Sequence, residues 1–78
     1  MTYLRDHTLY YKKSCPYCQK VLRFMAQNDI TMDTRDTLQP GNQDDLVHIG
    51  GKKQVPCLVV GGKAMYESDD IVAYLADK

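Results

Sequence analysis

The chain has 78 residues, with ten Lys+Arg against ten Asp+Glu, three cysteines and 44% hydrophobic residues. That length supports one small core, so a single domain over residues 1–78 is expected. Balanced charge with no basic block argues against nucleic acid as the main partner, and no apolar run is long enough to span a bilayer, so neither nucleic acid nor membrane is expected as a partner.

The opening residues Met1-Thr2-Tyr3-Leu4-Arg5-Asp6 lack the apolar core of a signal peptide. Three is an odd cysteine count, and Cys15 and Cys18 are too close in sequence to form a stabilising framework. In a reducing cytoplasm such a pair is catalytic or metal-binding rather than structural, and a cytoplasmic location is expected.

In chain order, His7-Thr8-Leu9-Tyr10-Tyr11 is short, aromatic and contains a β-branched residue, as a first strand should be. His7 is expected as an ordinary strand-edge residue. Pro16 to Gln27 is then expected as a helix. From Gln19 on it is free of Gly and Pro, with Val21, Leu22 and Met25 facing inward, Lys20 and Arg23 facing solvent, and an exit at Asn28-Asp29. Ile30 to Arg35 alternates imperfectly but is expected as a second strand. A strand, a helix and a strand imply a parallel pair with a right-handed crossover.

Thr37 to Gly41 is expected as loop. Asn42 to Ile49 then forms a short helix, with Asn42 as its cap, Asp44 and Asp45 near its positive end, and Gly50-Gly51 stopping it. His48 suits the negative end of that helix. Gln54 to Val60 is the third strand, Gly61-Gly62 a two-residue turn, and Lys63-Ala64-Met65-Tyr66 the antiparallel return. Ser68 to Ala76 is the last helix, with Ser68 as cap, Asp69 and Asp70 in its first turn, and Ile71, Val72 and Leu75 as its buried stripe. The order is βαβαββα, a four-stranded mixed sheet with helices on both faces.

The chemistry concentrates where the first strand hands over to the first helix, at Cys15-Pro16-Tyr17-Cys18. At a helix start, unpaired N–H groups and the positive end of the dipole favour an anion, and a thiolate is such an anion. Lys12 and Lys13 act in the same direction. Cys15 comes first, nearer the helix mouth, and is expected as the nucleophile. Cys18, one turn on, is placed to attack a mixed disulfide on Cys15. Pro16 gives up an N–H that has no intrahelical partner. Zinc is the competing reading. A structural zinc takes four ligands, and the chain offers Cys15, Cys18, Cys57 and two separated histidines without ligand spacing, so no metal is expected. Cys57, in an apolar strand, is expected to be a buried small hydrophobe.

Cys-Pro-Tyr-Cys resembles the active site of dithiol glutaredoxins. Lys12, Gln54-Val55-Pro56 and Ser68-Asp69-Asp70 agree with that family in order and spacing, over roughly Thr8 to Leu75. The resemblance implies a thioredoxin-like fold with a cis Val55–Pro56 bond opposite the cysteines, although base rates favour trans. It implies a monomeric thiol–disulfide oxidoreductase that uses glutathione as reducing co-substrate. Its substrates would be protein disulfides and glutathionylated proteins, with no bound cofactor.

Catalysis would rest on Cys15 and Cys18. Glutathione would meet Lys12 through its glycine carboxylate, Tyr17 beside its cysteine, Gln54, Val55 and Pro56 along its backbone, and Ser68 and Asp69 at its γ-glutamyl end. Two departures stand out. Tyr66-Glu67 replaces the usual Gly-Gly, which makes Glu67-Ser68 similar to the Glu-Ser pair of glutathione-transferase N-terminal domains, and Gln54 replaces the usual Thr. Three alternatives follow: a thioredoxin-reductase-fed redoxin, a glutathione-transferase-like N-terminal module, and a metal or iron–sulfur carrier. An end at Lys78 is expected to disfavour the second. Pro16 disfavours the third, because cluster-carrying relatives typically lack it.

Overall fold

A computed structural model describes residues 2–78. The order is β1 (Thr2–Tyr11), α1 (Pro16–Gln27), β2 (Ile30–Asp36), α2 (Asn42–Gly50), β3 (Cys57–Val60), β4 (Lys63–Met65) and α3 (Ser68–Ala76). The strands form one mixed sheet in the order β2-β1-β3-β4. β1 runs parallel to β2 and antiparallel to β3, and β3 runs antiparallel to β4. This is the four-stranded, three-helix arrangement expected from the sequence. None of the helices of the described residues is long and apolar enough to cross a membrane.

Period-2 alternation in the central strands divides the core in two. Leu9 of β1 pairs with Leu58 of β3, and both join Val21 and Met25 of α1 and Ile71 and Leu75 of α3 in the larger cluster. The next register pair, Tyr10 with Cys57, joins Leu46 of α2 and Val59 in a smaller cluster. With both faces covered, the middle strands are buried at consecutive positions, as a central strand between helical layers requires.

Several boundaries differ from expectation. β1 begins at Thr2, not His7, because its first residues pair with Ile30 and Thr31 before a register shift. Asp6 sits in that irregular stretch at φ 60, and its carbonyl accepts from the Gly61 N–H at 3.1 Å. β3 begins at Cys57, so Gln54, Val55 and Pro56 lie outside the ladder; the Val55–Pro56 bond is cis. Asn42 does not cap α2. Gly41, at φ 87, holds that position, and the Asn42 Nδ2 donates instead to the Asp36 carbonyl at 2.9 Å. Gly51, at φ 81, ends α2, so the left-handed residue is the second of the two glycines.

Candidate active site

β1 delivers the chain to the cysteines through a tight turn in which the Cys15 N–H donates to the Lys12 carbonyl at 3.0 Å. Cys15 then takes the N-cap position of α1 in an extended conformation, with Pro16 just inside the helix. Its sulfur fills the role usually taken by a Ser or Asp oxygen, accepting from the Cys18 N–H at 3.4 Å. The same sulfur lies 3.9 Å from the Val55 carbonyl oxygen, which ties the helix start to the cis-proline segment.

The two cysteines are unlike. Both are free thiols, but Cys15 is partly exposed and Cys18 is fully buried. Burial pushes the Cys18 thiol up to about 12. The Lys12 N–H, 3.5 Å from its sulfur, opposes that shift, and the neighbouring Cys15 adds to it. Cys57 is also buried, and its thiol is pushed up to about 11 for the same reason.

A groove of about 610 Å³ runs past Tyr17, Gln54, Val55 and Pro56 to Tyr66, Glu67, Ser68, Asp69 and Asp70. Tyr17 stands 65% exposed at the cysteine end. At the far end Glu67, not Ser68, is the N-cap of α3, and no side chain caps its first turn. Ser68 is therefore the first helical residue. The open N–H groups of that turn are donors for an anionic group, while Glu67, Asp69 and Asp70 provide acceptors for an amine. Lys20 of α1 forms an ion pair with Asp69 across the rim. Both side chains are largely exposed, so the pair is worth no more than about 1 kcal/mol.

Of the residues singled out from sequence, Tyr17, Gln54, Val55, Pro56, Ser68 and Asp69 line this one groove, and Cys15 touches it through Val55. Lys12 is half-buried beside the cysteines and acts there through its backbone. His7 is engaged elsewhere, between the Arg5 carbonyl at 2.6 Å and the Tyr74 hydroxyl at 2.8 Å. Tyr66, Glu67 and Asp70 complete the lining; in sequence Tyr66 carries only the signal of a strand end. Among the described residues no group of three His, Cys, Asp or Glu is placed to hold a metal ion.

The glutathione transferase Omega 3C of Trametes versicolor superposes with a TM-score of 0.79 at 26% identity, over 95% of this chain and 34% of that one. Glutaredoxin 2 of Salmonella typhimurium, solved in complex with glutathione, gives 0.73 at 28% identity, over 88% and 32%. The holo form of glutaredoxin C1 from Populus tremula x tremuloides gives 0.70 at 22% identity, over 94% and 76%, a likeness of fold alone. The chain thus spans about a third of the length of the transferase it matches. No curated protein sequence matches it. The fold is thioredoxin-like. The model of the glutathione S-transferase N-terminal domain matches residues 9–78, from the end of β1 through every later strand and helix, and the chain belongs to that family.

Proposed function

We propose that this protein is a glutathione-dependent thiol–disulfide oxidoreductase of the dithiol glutaredoxin type, working as a single domain and a monomer in the reducing cytoplasm. One observation carries the reading. The Cys15 sulfur accepts an N–H at the mouth of α1 and lies 3.9 Å from the carbonyl of Val55, which lines a groove that ends at the open N-terminus of α3.

In the reaction the Cys15 thiolate attacks the glutathione sulfur of a glutathionylated protein. A disulfide forms between Cys15 and glutathione, and the protein leaves as a thiolate that takes up a proton. The γ-glutamyl end of glutathione lies at Ser68 and Asp69, and its backbone runs along Gln54, Val55 and Pro56. Tyr17 covers its cysteine, and Lys12 attracts its glycine carboxylate.

A second glutathione thiolate then attacks the bound glutathione sulfur, which releases glutathione disulfide and restores the Cys15 thiolate. In the dithiol branch Cys18 attacks Cys15 instead, expels glutathione and leaves a Cys15–Cys18 disulfide that two further glutathiones reduce. Burial pushes the Cys18 thiol up and so disfavours the thiolate that the dithiol branch needs.

The test is reduction of a small glutathione mixed disulfide, coupled to glutathione reductase. Turnover is expected in the wild type, abolished in Cys15→Ser, and retained at half or more in Cys18→Ser. Reduction by thioredoxin reductase but not by glutathione would replace this reading with that of a thioredoxin-like redoxin.

The family match, together with Tyr66-Glu67-Ser68 at the groove, favours a second reading as the glutathione-binding module of a transferase. That reading expects glutathione conjugation to an aryl halide with no dependence on Cys18.

A further inference from the structure

Tyr66 and Gly50 meet at the back of the groove, although α2 contributes nothing to its lining. Tyr66 sits between β4 and α3 and forms part of the wall. Its phenol reaches across to the last residue of α2, where a methyl group on Gly50 would overlap the hydroxyl, approach Cζ to 2.8 Å and touch the Ala64 Cβ at 3.0 Å. Gly50 lies within the helix, and the left-handed residue is Gly51. Glycine at position 50 therefore supplies space for a ring.

Beyond that notch the Tyr66 hydroxyl donates to the Lys52 carbonyl at 3.4 Å, and the Lys52 ammonium lies 5.3 Å from the ring centroid. Tyr66 and Val55 both pack on the smaller core cluster. One side chain thus ties the segment leading into Gln54-Val55-Pro56, one wall of the groove, to the Tyr66-Glu67-Ser68 entry of α3, the other wall.

We infer that Gly50 and Tyr66 form a lock that sets the spacing between the cis-proline segment and the N-terminus of α3, making both positioning residues for the ligand in the groove. The inference rests on reading that groove as the glutathione site. A ligand that must touch both walls is held less well when their spacing changes.

The experiment measures KM and kcat for a small glutathione mixed disulfide in Gly50→Ala, Tyr66→Phe, Gly50→Ala/Tyr66→Phe and Tyr66→Ala. Alkylation of Cys15 by iodoacetamide and the thermal midpoint are followed in parallel. Gly50→Ala is expected to raise KM on the order of fivefold, about what one lost hydrogen bond to the ligand costs, with kcat and the alkylation rate unchanged. Tyr66→Phe, which loses the bond to the Lys52 carbonyl but keeps the ring, is expected to raise KM less than Gly50→Ala does. The Gly50→Ala/Tyr66→Phe pair is expected to recover part of the loss, since the atom that overlaps most is gone; two sites in contact should be non-additive.

An unchanged KM in folded Gly50→Ala, or losses that simply add in the pair, overturns the lock. If Gly50→Ala does not fold, Tyr66→Ala decides: a raised KM at unchanged kcat supports the lock, and an unchanged KM overturns it. A wild-type protein that turns over no glutathione substrate would instead overturn the reading of the groove, and the lock with it.

Discussion

Three residues after one thiol that tips a helix comes another that is sealed beneath it, and this difference in place divides their chemistry. Cys15 is partly exposed and hydrogen-bonded by the Cys18 N–H, whereas Cys18 is inaccessible and held protonated by burial. Iodoacetamide at neutral pH is therefore expected to add one group to the folded, reduced protein, at Cys15, and three in denaturant, where Cys18 and Cys57 are also free. Peptide mass mapping checks both counts. Prompt modification of Cys18 in the native state would contradict the burial on which the division of roles depends. Cys15 and Cys18 were legible because two cysteines at that spacing after a strand carry a mechanism in themselves. Tyr66 was not, because its place depends on a missing side chain at Gly50, sixteen residues away across the fold.

At the scale of elements, the sequence periods placed all seven in order, and the errors fall where tertiary contacts override local signals. Glu67 and Ser68 are adjacent and either can start a helix, but only the structure leaves α3 without a side-chain cap, which is also what leaves its N–H groups open to a ligand. Gln54-Val55-Pro56 continues an apolar strand in sequence, yet it leaves the sheet at Pro56 and becomes groove wall. The first residues of β1 were hidden because Asp6 interrupts the pattern, and only pairing with β2 restores the strand. α2 is the most lightly anchored helix, with Leu46 its one fully buried residue. Leu46→Ala is expected to cost about 2–5 kcal/mol, a large part of what a chain this size holds. Urea unfolding measures it, and a loss below about 1 kcal/mol would show that α2 contributes little to the fold.

For the molecule as a whole, the buried thiols predict how stability responds to pH. Cys18 is pushed up to about 12 and Cys57 to about 11 from an ordinary value of 9.0, chiefly by desolvation. The folded chain then keeps protons that the unfolded chain releases above about pH 9, so stability falls as pH rises through that window. The slope is up to about 1.4 kcal/mol per pH unit for each thiol. Burial raises Tyr10 and Tyr66 in the same direction. Denaturant melts of the reduced protein between pH 8 and 11 should show the decline, and Cys57→Ala should flatten it; stability that rises over this range would contradict the account. The central claim joins one sulfur to one groove, and intact mass after incubation with glutathione disulfide tests it most directly. Cys18→Ser is expected to gain a single glutathione, mapped to Cys15 and removed by excess reduced glutathione, while Cys15→Ser gains none. Glutathione found on Cys15→Ser, or absent from Cys18→Ser, would contradict it.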